Sequence, residues 1–272
     1  MRTMKNHTSL VFSILLCISI LYFATNIKAG NPSIHQNASV AKRFVLPAGF
    51  HKVKVTPGSF AEYLRNLPLK PEGATLYYYN HQIKKLKYDG GVVDCDFGNN
   101  YAEQCADAVI YLRANWLWKT KQYDKIHFNF NNGFKADYAK WAKGYRIHVD
   151  KKTWACNYHK RGKEDYSYET FRKYLDIVFE YAGTASLTKE LKSISLNDLH
   201  IGDVLINGGY PGHAVIIVDE AVNDKGKKLF LIAQGYTPAQ EIEIYNKWFS
   251  VDSTPFYFPY WTFKGTFTKR FK

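Results

Sequence analysis

The chain has 272 residues, 46% of them hydrophobic and 22% charged. That balance excludes a disordered chain and suits one substantial domain, or a domain with a subdomain. The net charge of +13 favours acidic partners such as a bacterial envelope or another anionic polymer, while the lack of any nucleic-acid signature argues against a nucleic-acid partner.

Arg2 and Lys5 precede an almost wholly apolar run, Leu10–Ala24, and Ala29 places a small residue before Gly30. Residues 1–29 therefore read as a signal peptide, which puts the protein in the periplasm or cell envelope. The apolar run is short for a bilayer, so no span is expected in the mature chain. An uncleaved anchor is the alternative. Cys17 follows Leu16, too large for a lipoprotein site, and belongs to the apolar run. Gly30–Ala41 reads as a linker, and residues 42–272 as a single domain.

Ser59 caps a helical pattern, Phe60, Tyr63, Leu64 and Leu67, which Pro68 stops. Leu76–Tyr79 and Gly91–Phe97 read as strands. A central helix is expected from Asn100 to about Lys121. Cys105, Ala108, Val109, Leu112 and Trp116 share one of its faces. Lys125–Phe130 reads as a strand turning at Asn131-Asn132-Gly133. A short helix is expected over Phe134–Ala142, a strand over Tyr145–Val149 and a basic loop over Asp150–Tyr166. Ser167 caps a second long helix with Phe171, Tyr174, Leu175, Val178 and Phe179 on its apolar face, ended by Gly183. Leu187–Leu191 reads as a short helical turn. The remainder is β-rich, with strands at Asp203–Asn207, Ala214–Glu220, Leu229–Gln234, Glu241–Tyr245 and Trp261–Phe267. Asn223–Gly226 forms a hairpin loop. Helices before an antiparallel meander imply an α+β class.

Three cysteines outlast signal cleavage, Cys95, Cys105 and Cys156, and an odd number leaves at least one thiol free or intermolecular. Pairing Cys95 with Cys156 would spare Cys105, but spacing does not decide it. No Cys-x-x-Cys or His-Glu-x-x-His spacing occurs, so neither a metal nor another cofactor is expected.

Cys105 opens a helix, where the backbone favours negative charge and hence thiolate. His213 opens a later strand and can take the thiol proton. Gln234, at the end of the next strand, can hold the imidazole in one tautomer, and Asp219 is a weaker candidate. The N–H of Cys105 would serve as an oxyanion donor, with Gln104 or Tyr101 adding a side chain. Each residue also has a plainer role. Cys105 is a small hydrophobe, His213 a turn histidine, Gln234 a strand-end amide. Trp141, Tyr145 and Trp154 offer a different function, a non-catalytic groove for envelope glycan or peptide, although aromatics are more often core.

Cys-Ala-Asp-Ala-Val-Ile-Tyr-Leu-Arg-Ala (105–114), His-Phe-Asn-Phe-Asn-Asn-Gly-Phe (127–134), Gly-Gly-Tyr-Pro-Gly-His-Ala-Val (208–215) and Leu-Ile-Ala-Gln-Gly-Tyr-Thr-Pro (231–238) resemble an exported bacterial family, Domain of Unknown Function four-eight-four-six. That resemblance runs from about residue 70 to the C-terminus and carries no mechanism. Gln104-Cys105 on a helix start, with Gly202-Asp203-Val204 before Gly212-His213-Ala214-Val215, is more distantly similar to NlpC-type and CHAP-type papain-like peptidases. This second resemblance implies a papain-like core, a Cys-bearing helix packed on an antiparallel sheet, with a helical insertion over about 122–198. It implies a cysteine amidase or peptidase acting on cell-wall peptide, with peptidoglycan or another envelope polymer as partner. Cys105 would be nucleophile, His213 base and Gln234 the orienting residue, with Gln104, Tyr101 and Trp141 near the substrate. Gln104-Cys105-Ala106-Asp107 departs from the Asp-Cys-Ser-Gly usual around that nucleophile.

Overall fold

The computed structural model describes residues 39–84, 90–96 and 104–272. Tyr101 and the signal-peptide segment lie outside the described residues. Ser39 bridges Pro68 and Val40 is fully buried, so the folded unit starts earlier than residue 42.

The elements run α1 (Val40–Arg43), β1 (Phe50–Lys52), α2 (Phe60–Arg65), β2 (Gly91–Val92) and α3 (Cys105–Lys119). Next come β3 (His127–Asn129), β4 (Lys135–Asp137), α4 (Tyr138–Ala142), β5 (Tyr145–Val149), β6 (Cys156–Lys160), α5 (Tyr168–Tyr181) and α6 (Thr184–Glu190). The β-rich part follows as β7 (Lys192–Ser193), β8 (Val204–Asn207), β9 (His213–Asn223), β10 (Lys228–Gln234) and β11 (Glu243–Ile244). It ends with β12 (Phe256–Phe258), β13 (Trp261–Phe263) and β14 (Thr268–Arg270).

One sheet of eight strands organises the molecule, in the order β2-β11-β10-β9-β8-β14-β7, with β1 paired to the far end of β9. All its pairings are antiparallel. Side chains alternate across a strand, and here each face has its own cover. Val204, Ile206, Ala214, Ile216 and Val218 meet the helices on one side. Leu205, Val215, Ile217, Phe230 and Ile232 meet Phe249, Phe256, Phe258, Phe263 and Phe267 on the other. A sheet buried on both faces reads as a continuous apolar run, which is why β9 lacks alternation. The class is mixed helix and antiparallel sheet, as expected.

Helix α3 lies between the sheet and α5, and every residue from Cys105 to Leu112 is buried. The single stripe expected on this helix was too narrow, because helices and sheet enclose it on several sides. The long α5 carries the expected apolar face, and Ser167 Oγ accepts the N–H of Thr170 at 3.2 Å. At α2, Ser59 Oγ accepts the N–H of Glu62 at 3.1 Å.

Several expected elements differ. Residues 135–137 form β4 rather than helix, because they close a hairpin with β3 across the Asn131-Asn132-Gly133 turn. The expected loop 150–166 contains β6, paired to β5 with Ile147 opposite Tyr158. Its solvent face is polar, which hid the strand. Leu76–Tyr79 contributes only isolated bridges, from Tyr77 to Ile83 and Tyr78 to Gln240. The single strand expected over Trp261–Phe267 is β13, and the last strand is β14, which returns to β8.

Candidate active site at the start of the Cys105 helix

Cys105 is the first residue of α3. The backbone N–H of Gln104 donates to the Asp107 carboxylate at 2.8 Å and closes the helix start. The sulfur lies 4.0 Å from the Gly212 carbonyl oxygen and receives the N–H of Ala214. Those two residues flank His213, so the thiol rests against the peptide units on both sides of the candidate base.

Gly235 permits this approach, and Gly212 permits the close turn that leads into β9. A Cβ on Gly235 would stand 3.0 Å from the Gln104 carbonyl and 3.2 Å from Ala108 Cβ. A Cβ on Gly212 would stand 2.3 Å from Thr184 Oγ1 and 2.7 Å from the Gly209 carbonyl. A side chain at 235 would crowd the start of α3, whereas one at 212 would clash with Thr184 of α6 and with the turn before β9.

His213 Nε2 lies 2.9 Å from Gln234 Oε1. The Gln234 amide nitrogen donates to Glu243 Oε1 at 2.6 Å and to the Tyr245 hydroxyl at 2.9 Å. Glu243 sits opposite Gln234 in the register of β10 and β11. Its Oε1 also accepts from Gln240 at 3.0 Å and pairs with Lys84 Nζ at 3.0 Å. This network assigns the protons. With its nitrogen turned to a carboxylate, Gln234 presents oxygen to the ring, so His213 carries its hydrogen on Nε2. Nδ1 is left as the basic nitrogen.

Burial drives the His213 imidazole down to about 4, offset in part by the Gln234 hydrogen bond. Burial pushes the Cys105 thiol up to about 11, and the Asp107 charge adds to the rise. The N–H groups of Ala214, Ala106 and Cys105 act the other way. The thiolate preference expected from the helix start is therefore outweighed by desolvation. At neutral pH the resting pair is thiol and neutral imidazole.

The His213 ring faces aromatic neighbours, with Trp261 at 5.6 Å, Tyr236 at 5.8 Å and Phe263 at 6.0 Å between ring centres. Beside it opens a groove of about 670 Å³ lined by Asn207, Phe258, Tyr260, Trp261, Thr262 and Lys264. Asn207 Oδ1 accepts the Trp261 indole N–H at 3.3 Å and the Lys264 N–H at 3.1 Å, fixing one wall.

The structure joins His213 to Gln234 and sets the Cys105 sulfur against the backbone on either side of His213, while the imidazole itself faces Trp261 and Phe263. Gln104 adjoins Cys105, its Oε1 accepting the Thr237 hydroxyl at 3.1 Å. Trp141 does not line a groove. It is 6% exposed, and its indole N–H donates to the Thr170 carbonyl at 3.0 Å within the helical layer. Asp219 lies far along β9 and is bound to Arg65 at 2.7 Å. Cys95, Cys105 and Cys156 are all free thiols, and burial pushes Cys95 up to about 12. Among the described residues no cluster of three metal-ligating side chains occurs.

Sequence reasoning missed Lys84, Glu243, Tyr245 and Trp261. Only Glu243 leaves a trace in the chain, an acid between Ile242 and Ile244 where a buried strand would carry an apolar residue.

A family model described as domain of unknown function (4846) matches residues 40–270, and the chain belongs to that family. No curated protein and no solved structure matches it.

Proposed function

We propose that this family member is an exported cysteine hydrolase on a papain-like core, cleaving an amide bond in an envelope peptide or a related amide. The observation that carries the reading is the row Glu243–Gln234–His213, with the Cys105 sulfur resting against the Gly212 carbonyl and the Ala214 N–H on either side of His213. Each member fixes the next, and the last has its basic nitrogen bare.

In this reading Nδ1 of His213 takes the thiol proton as the sulfur attacks the carbonyl carbon. The proton moves with the attack, because both groups rest neutral. The N–H of Cys105 at the helix start meets the oxyanion. The imidazolium, steadied by Gln234, returns the proton to the leaving amine, and water then releases the acyl group from sulfur. Export rests on the pattern of residues 1–29. An envelope substrate rests on that pattern and on the basic charge of the chain.

The test uses a Cys95→Ser/Cys156→Ser background, with iodoacetamide as probe and pooled cell-wall peptide fragments as substrate. With the thiol near 11 and the imidazole near 4, alkylation of Cys105 should rise about tenfold per pH unit between about pH 6 and 9, in the parent and in His213→Ala alike. Hydrolysis should separate them: Cys105→Ala and His213→Ala should each abolish it while the circular dichroism is kept. No hydrolysis by the parent, or hydrolysis that survives Cys105→Ala, would overturn the proposal.

A second reading, a non-catalytic binder of envelope glycan or peptide, is favoured by the open aromatic groove beside a closed thiol. It predicts saturable binding lost in Trp261→Ala, with no turnover.

A further inference from the structure

We propose that the β5–β6 hairpin is a docking tip for the surface of an anionic lipid bilayer. The inference is independent of the hydrolase reading, since no residue of the hairpin lines the groove beside His213.

The hairpin stands outside the eight-stranded sheet as a separate two-stranded unit. One face, Ile147, Val149 and Cys156, packs against the main core and anchors it. The opposite face and the tip are exposed from Lys151 to Ala155. Between Lys143 and Lys163 the sequence holds seven Lys or Arg and one acid, Asp150. That acid is engaged within the turn. Its Oδ1 accepts the N–H groups of Lys152 at 2.8 Å and Thr153 at 2.9 Å, and its carbonyl accepts the N–H of Trp154 at 2.7 Å. Lys151, Lys152, Arg161 and Lys163 are all exposed, and no ion pair engages them among the described residues.

Trp154 is held outward by construction. It takes a left-handed backbone conformation, φ 59°, at the tip, and is 58% exposed. Asn132 Nδ2 donates to its carbonyl at 2.6 Å, and its ring meets Tyr181 edge-on at 6.4 Å. An indole exposed on a hydrogen-bonded turn that also carries Lys151 and Lys152 is suited to a lipid interface. The ring settles at headgroup depth while the lysines meet phosphates. A polymer would instead call for a groove with rings along its walls, and the tip of a hairpin offers none.

The experiment uses the full chain and compares variants, so that the N-terminal apolar segment contributes equally throughout. Partitioning is measured by co-sedimentation with phosphatidylglycerol vesicles and with phosphatidylcholine vesicles. Binding should favour the anionic vesicles, and the preference should collapse at about 0.5 M salt, where screening acts within a few ångströms. Lys151→Gln and Lys152→Gln should each weaken anionic partitioning about fivefold. The difference in emission between the parent and Trp154→Phe should shift to shorter wavelength only with anionic vesicles. The altered groups are exposed, so melting curves should be unchanged. Equal partitioning of parent and variants would overturn the proposal. So would an unshifted Trp154 emission with binding displaced by soluble polyphosphate, which would identify an anionic polymer as the partner.

Discussion

Lowering the pH should unfold this protein through His213. The imidazole is 3% exposed, and its value falls from 6.5 to about 4 on folding. The folded state therefore keeps the ring neutral where the unfolded chain has already taken up a proton. The stability concerned is complete above about pH 6.5, declines as pH falls, and is exhausted below the folded value. Between about pH 7 and 4.5 the two values imply a loss of about 2.5 kcal/mol from this one group, at 1.36 kcal/mol per unit. Carboxylates titrate in the same window, so the informative quantity is a difference between proteins. Urea unfolding followed by circular dichroism, at both pH values, is measured for the parent and for His213→Gln. The parent should lose about 2.5 kcal/mol more than the variant across that interval. Parallel losses in the two proteins would refute the reasoning, as would a His213 ring proton titrating near 6.5 by NMR.

Three other outcomes are expected. Gly235→Ala drives a methyl into the Gln104 carbonyl and Ala108, and should cost about 1–3 kcal/mol in thermal or urea unfolding. Lys84→Met strands the buried Glu243 carboxylate and should cost about 3–5 kcal/mol, whereas Lys84→Met with Glu243→Gln should cost less than the first change alone. Trp141→Ala, in the helical layer, should lower stability by about 3–5 kcal/mol without altering binding of cell-wall fragments. A stable variant with lost binding would instead place that ring in a binding site.

The periodic elements were legible. Ser59 and Ser167 announce their helices because a side-chain oxygen accepting a free N–H is a local event. β8, β9 and β10 announce themselves by unbroken apolar runs. β6 did not, because its exposed face carries Asn157 and His159 and its inward residues are few. β4 was lost for a similar reason, being three residues long and set by its partner β3 rather than by its own composition.

For the candidate site, the chain alone placed a cysteine at a helix start, a histidine at a strand start and a glutamine at a strand end. These are local readings of caps, glycines and strand limits. Only the tertiary structure decided that the sulfur lies against the peptides flanking His213, since that depends on distant segments meeting, as the start of α3 meets the end of β10 at Gly235. It alone supplied Lys84 and Glu243, which act through contacts across more than a hundred residues of sequence. It also reversed the expected ionisation of the thiol. A helix start is written in neighbouring residues, but desolvation is the sum of everything packed around an atom, and no stretch of sequence contains that sum.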